Sequence, residues 1–308
     1  MRVLFWGTPE FAAAPLRALI GEGFDVVGVV TQPDKPQGRA RAIIPSVVKQ
    51  IAQEEEIPLL QPKNARDPEL PEKLKALQPD IGIVVAYGHI LPQKIIDLPA
   101  KGTLNIHASL LPLLRGAAPI HAAIKQGLAE TGVTIMRVVS ALDAGPIILQ
   151  AETPILADET YGELQDRLSE LGALSLIEAL SLISIGSGKE TPQDDARATY
   201  AAKITRESSH IDWGASALEI SRLIRASDPK PGAYTQTPNF DVKLFGPKLM
   251  DGIKGEPGEV LKTKGELVIA CGLDALRIAE VQPSGKSRMP SEEWIRGRGI
   301  AVGDKFGV

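Results

Sequence analysis

The sequence predicts two domains: a Rossmann-like, doubly wound parallel α/β sheet over residues 1–206, then a small β-barrel over residues 207–308. Three observations carry this reading. A chain of 308 residues exceeds one ordinary core and suits two domains. Its first half alternates continuous apolar strands with helical stretches. Its last third turns to short strands broken by frequent Gly and Pro.

Arg2–Trp6 reads as a buried strand, Gly7-Thr8-Pro9 as a turn and Glu10–Gly21 as a helix. Asp25–Thr31 is a Val-rich strand, and Asp80–Ala86, Thr103–His107 and Val133–Val139 are further strands of the same kind. Pro45–Glu55, Pro68–Leu77 and Ala117–Gln126 read as the helices between them. Apolar strands separated by helices imply a parallel sheet covered on both faces. Ser187–Arg197 is polar and reads as a surface crossing or linker. Ser216–Ala226 looks like one helix. Asp241–Phe245, Gly258–Leu261, Glu266–Ala270 and Leu276–Val281 are the short strands that suggest a barrel.

Composition excludes several classes. The lone cysteine, Cys271, permits no internal disulfide and no Cys-rich metal site, which fits a reducing compartment. The opening M-R-V-L-F-W-G lacks a signal peptide's longer apolar core, and no stretch approaches the roughly 18 apolar residues of a membrane helix. A cytoplasmic protein without a membrane partner is expected. Net charge is −4; residues 208–308 hold 14 Lys+Arg against 13 Asp+Glu, which leaves −5 for residues 1–207. Charge alone does not point to RNA.

Familiar chemistry is missing too. No G-x-G-x-x-G follows the first strand, and there is no G-x-x-x-x-G-K-[ST] and no G-x-S-x-G. His89, His107, His121 and His210 do not fall at H-E-x-x-H spacing, so no metal is expected. The informative segment is Leu104–Ile120, L-N-I-H-A-S-L-L-P-L-L-R-G-A-A-P-I. Asn105 and His107 are two apart on a strand and share a face near its carboxyl end, where open α/β sheets place their sites. Asn is a neutral donor suited to a developing oxyanion, and His an acid or base near neutral pH. Taken alone, an N-x-H pair, an S-L-L-P and an Asp-x-Gly are each open to a purely structural reading.

Together, N-I-H-x-S-L-L-P-x-x-R-G and the later D-A-G at Asp143–Gly145 resemble the signature of the 10-formyltetrahydrofolate-dependent formyltransferases. The resemblance spans nearly the whole chain, most strongly residues 1–150. It implies that Asn105, His107 and Asp143 are catalytic. It implies that Ser109, Leu110, Leu111 and Pro112 form the folate-binding turn, and that Tyr87 and Gly88, in A-Y-G-H-I-L-P, line the pterin pocket. The donor would be 10-formyltetrahydrofolate. The sequence departs from the family at Leu113 and Leu114, where relatives that act on tRNA carry a basic and an aromatic residue. Pro146, after the D-A-G, removes a backbone donor.

Family members formylate different amines. The loop Thr31–Ser46, T-Q-P-D-K-P-Q-G-R-A-R-A-I-I-P-S, resembles that of members whose acceptor is initiator methionyl-tRNA, with Arg39, Arg41 and Lys35 as implied tRNA contacts. H-I-D-W at His210–Trp213 resembles the start of the family's second domain, an OB-fold-like barrel that presents a basic face to tRNA. Candidates there are Lys243 and Lys248, then Lys254, Lys262, Lys264, Lys286 and Arg288. A monomer is expected. The alternatives are an amino-sugar formyltransferase with the same core, and a non-catalytic RNA-binding protein on a degenerate enzyme fold.

Overall fold

The computed structural model describes residues 1–37, 42–237, 239–297 and 299–307. In chain order the first elements are β1 (Arg2–Gly7), α1 (Ala13–Gly21), β2 (Asp25–Val30), β3 (Lys35–Gln37), β4 (Ala42–Ile44), α2 (Val47–Glu54), β5 (Leu59–Leu60), α3 (Leu70–Ala76), β6 (Ile81–Val85) and α4 (Gln93–Ile96). Then come β7 (Thr103–His107), β8 (Arg115–Gly116), α5 (Pro119–Gln126), β9 (Glu130–Arg137), β10 (Ile147–Pro154), α6 (Tyr161–Ser184) and β11 (Tyr200–Ala201). The last third holds α7 (Ala217–Ser227), β12 (Ala233–Gln236), β13 (Asp241–Met250), β14 (Val260–Lys262), β15 (Leu267–Ala270), β16 (Ala275–Pro283), β17 (Met289–Pro290) and α8 (Ser291–Arg296).

Two compact units result. One takes Met1–Pro119, Glu130–Pro154 and Gln165–Ala201; the other takes Ile120–Ala129, Ile155–Leu164 and Ala202–Val308. The first unit is built on a seven-stranded sheet of order β10-β9-β7-β6-β1-β2-β5. In β1 and β2 every residue after the first is buried, as parallel strands covered on both faces require. The strands from β5 to β7 are parallel. At the other edge the parallel expectation is corrected: β9 runs antiparallel to β7, and β10 antiparallel to β9. Antiparallel pairing lets β9 begin at the end where β7 finishes, so residues 108–129 need no crossover. They are free to build a turn beside the carboxyl end of β7. Pro146 stands just before β10, and its carbonyl accepts the Arg137 N–H of β9.

No element was expected over residues 161–184, yet α6 is a 24-residue helix. Its Ser169 Oγ donates to the Phe11 carbonyl at 2.9 Å. A Cβ on Gly172 would stand 3.0 Å from Ile106 Cγ2, so the missing side chain lets the helix lie close on β7. Ile106 alternates with Asn105 and His107, so α6 covers the face opposite to theirs.

The second unit is a curled antiparallel half-barrel of order β12-β13-β16-β15-β14, with β17 pairing β16. Its core gathers Trp213, Ile220, Ile224, Leu244, Leu276, Trp294 and Phe306. Helix α7 starts at a capping box: Ser216 Oγ accepts the Glu219 N–H while the Glu219 carboxylate accepts the Ser216 N–H.

Candidate active site

Strand β7 carries Asn105 and His107. Asn105 is half-buried, and among the described residues no group hydrogen-bonds its side-chain amide. His107, the strand's last residue, is buried at 6% exposure. Its Nε2 lies 3.0 Å from the carbonyl oxygen of Leu114. A carbonyl only accepts, so Nε2 carries a proton. On the other side of the ring, Nδ1 is 3.7 Å from Asp143 Oδ2. That is beyond a hydrogen bond, and the pair is ionic only when the ring is protonated. A second proton on Nδ1 would therefore sit between the imidazole and a carboxylate. Asp143 adopts φ 49°, a left-handed conformation Asp tolerates better than most residues, and its Oδ2 accepts the Gly116 N–H at 2.8 Å.

The turn after β7 is fixed on several sides. Ser109 Oγ donates to the Leu113 carbonyl at 2.5 Å. Thr134 Oγ1 donates to the Ser109 carbonyl at 2.6 Å and accepts the Leu111 N–H at 3.1 Å. Gln150 Nε2 donates to the Leu111 carbonyl at 2.9 Å. Leu110 and Pro112 are half-buried and Leu111 is buried. Leu114 is buried at φ 58°, and its contribution is made by backbone: the N–H donates to Thr199 Oγ1 and the carbonyl receives His107. Replacing an aromatic with Leu here leaves those bonds intact, whereas Leu113 points outward at 37% exposure. Gly116 has φ +115°, and a Cβ there would fall 2.6 Å from the Ala201 carbonyl. β8 and β11 pair at this close approach.

That pairing identifies what sequence reasoning missed. The polar stretch Ser187–Arg197 does cross the surface, but Gln193 reaches inward. Its Nε2 donates to the Asp143 and Gly145 carbonyls, both at 2.8 Å, and its Oε1 accepts from Arg115. Only the crowding of polar residues in T-P-Q-D-D could have hinted at it.

Tyr87 is buried in the cluster of Leu4, Trp6 and Leu91 and meets Trp6 edge-on at 5.1 Å. Among the described residues its hydroxyl has no hydrogen-bond partner, and burial pushes its pKa up to about 12. Gly88 has φ +84°, and a Cβ there would meet Gln32 Nε2 at 2.6 Å. That Nε2 donates to the Tyr87 carbonyl, and the Gln32 Oε1 accepts from exposed Lys35 at 3.0 Å. The base of the Thr31–Ser46 loop is thus tied to the strand end that carries Tyr87. Arg39 and Arg41 lie outside the described residues. On β13, Lys248 is exposed, while Lys243 Nζ donates to the Pro231 carbonyl at 2.6 Å. Arg288 grips Asp228 and Glu280 over the Phe245 ring, and Lys262 pairs with Glu266, so these two cations already have partners. Among the described residues no group of three or more His, Cys, Asp or Glu could hold a metal ion.

Residues 1–180 match the family described as "Formyl transferase", and residues 203–299 match "Formyl transferase, C-terminal domain". The chain belongs to the formyl transferase family. Two curated formyl transferases, each named "Methionyl-tRNA formyltransferase", align over almost its whole length. The protein from Pseudomonas putida (strain GB-1) is 47% identical over 289 residues, 93% of either chain. That from Pseudomonas fluorescens (strain SBW25) is 45% identical over 311 residues, 100% of this chain and 98% of the other. Solved structures share the fold at lower identity. HypX from Aquifex aeolicus, in complex with tetrahydrofolic acid, has a TM-score of 0.68 at 21% identity, covering 99% of this chain and 48% of that one. WlaRD, a sugar 3N-formyl transferase, has a TM-score of 0.68 at 19% identity, covering 93% of this chain and 99% of its own.

Proposed function

We propose that this formyl transferase moves the formyl group of 10-formyltetrahydrofolate onto the α-amino group of initiator methionyl-tRNA. The observation that carries the reading is the 45–47% identity, over nearly the full chain, to proteins named for that activity. The amino-sugar alternative rests on likeness at 19% identity, which speaks for fold alone. Tetrahydrofolate bound to the HypX relative supports a folate donor.

The amine attacks the formyl carbon carried on N10 of the folate; as the tetrahedral oxyanion collapses the C–N10 bond breaks, and tetrahydrofolate leaves with N10 gaining the proton that the amine nitrogen loses. Free α-amines titrate at about 7.7–8.0, so an unprotonated fraction exists at neutral pH. The free amide of half-buried Asn105 donates to the negative charge that develops on the formyl oxygen. His107, placed between the Leu114 carbonyl and the Asp143 carboxylate, stands beside the reacting centre on the same strand face. Asp143, with Oδ2 3.7 Å from Nδ1, orients the ring. Ser109 to Pro112, with Tyr87 and Gly88, would hold the folate. Neither the amine nor these side chains calls for a metal.

In this reading the catalytic domain is 1–206 and the tRNA-binding domain 207–308. Lys35, Arg39 and Arg41 contact the acceptor end, Lys248 and Lys243 the tRNA backbone, and the enzyme works as a cytoplasmic monomer. Lys243 serves tRNA while keeping its bond to Pro231, since an ammonium has three donors. The test is competition between acceptors. With one formyl donor, methionyl initiator tRNA should be formylated and a nucleotide-linked amino sugar left untouched; the reverse preference sinks the reading.

A further inference from the structure

We propose that Gln193 is a positioning residue that holds Asp143 against His107; this rests on the reading of Asp143 above. The Asp143–Gly145 turn is held at its ends, where Asp143 Oδ2 accepts the Gly116 N–H and the Pro146 carbonyl accepts the Arg137 N–H. Asp143 sits at φ 49°, and Gly145 passes so near β9 that a Cβ on it would lie 1.8 Å from the Arg137 carbonyl. Two carbonyls of this turn, those of Asp143 and Gly145, point at one side chain.

The amide orientation of Gln193 is fixed by its neighbours. Carbonyls only accept, so the amide nitrogen must face the turn, and both its protons are used there. Arginine only donates, so the amide oxygen must face Arg115. Arg115 binds it through Nε at 3.1 Å and Nη2 at 2.8 Å, and is itself buried at 3% exposure with Asp195 2.7 Å from Nη2. Arg115 also belongs to the turn after β7, whose Leu114 carbonyl faces His107 and whose Gly116 N–H is bonded to Asp143. A single amide therefore joins both chain segments that flank the imidazole, from 50 residues beyond Asp143. No other side-chain type of this length has two donors and an acceptor in one plane.

Gln193→Glu separates positioning from mere packing. The carboxylate keeps the size and the bond to Arg115, but turns an acceptor toward two carbonyls that need donors. The expected result is a fall in kcat of about 10- to 100-fold, with KM for folate and tRNA changed less than about twofold. The D143N background should show no further loss, because Gln193 acts through Asp143. Gln193→Met, which cannot repel the carbonyls, serves if the Glu variant does not fold and should lower kcat in the same way. Crystal structures of both proteins give a readout free of activity: the variant should lose the Gly116 N–H bond to Asp143 and widen the His107–Asp143 gap. An unmoved turn, a kcat equal to the parent's, or the same fold-loss in the D143N background overturns the proposal. If the parent protein transfers no formyl to methionyl-tRNA, the acceptor assignment fails, while the turn's position still decides the role of Gln193.

Discussion

His107 lies between two acceptors of different kinds, a neutral carbonyl at Nε2 and a carboxylate near Nδ1. The pair fixes the plane of the ring, while Asn105 on the same face supplies a neutral donor. Asn105→Ala should lower kcat by roughly 10²–10³ and leave KM nearly unchanged, because the bond forms only as charge develops on the formyl oxygen. A raised KM with intact kcat in steady-state assays would reassign Asn105 to ground-state binding. The N-I-H pair was legible because strand alternation puts residues two apart on one face, and the motif supplied the rest. Gln193 was not. Its contacts are set by where the chain crosses in space, and nothing in T-P-Q-D-D distinguishes a clamp from a solvated surface run.

Elements around the site depend on close backbone approach. Gly116→Ala brings a Cβ against the Ala201 carbonyl at a positive φ, and strain of this kind costs about 1–3 kcal/mol. Thermal melting should fall for this variant and stay put for Gly21→Ala, where a Cβ meets open space; equal melting points would show that β8 and β11 yield freely. In α5, burial foremost and then the charge of Lys125 lower the pKa of His121 to about 4, and its Nε2 has no hydrogen-bond partner among the described residues. Against an unfolded value of about 6.5 the sign is clear. Stability is full above that pH and declines as acid protonates the unfolded chain first, by about 3 kcal/mol at pH 4. His121→Leu should flatten that part of the denaturation profile; an unchanged acid limb would place the titrating group elsewhere. The strands of the parallel region were legible as continuous apolar runs. Helix α6 also carried a signal, Leu164, Leu168, Gly172, Leu176 and Leu180 at four-residue spacing, masked by further apolar residues such as Leu174 that remain exposed. The reversal of β9 was illegible, since an apolar strand reads the same in either direction.

Across the whole molecule the fold does not choose the acceptor. HypX, solved with tetrahydrofolic acid, and WlaRD, a sugar 3N-formyl transferase, share it at 21% and 19% identity. In this chain the base of the Thr31–Ser46 loop is tied through Gln32 to Tyr87, and the last third carries +1 charge beside −5 for the first part. The second unit was legible as short strands. Its curl was expected from that spacing, whereas the strand order β12-β13-β16-β15-β14 was not legible, because β13 and β16 pair across a long stretch of sequence. Among the described residues no helix is long and apolar enough to cross a membrane. The most direct measurement is transfer of labelled formyl from 10-formyltetrahydrofolate to methionyl initiator tRNA, beside methionyl elongator tRNA and free methionine. Rapid transfer to the initiator alone is the predicted result. Folate turnover with no label on any tRNA would contradict the account and hand the same catalytic centre to a different amine.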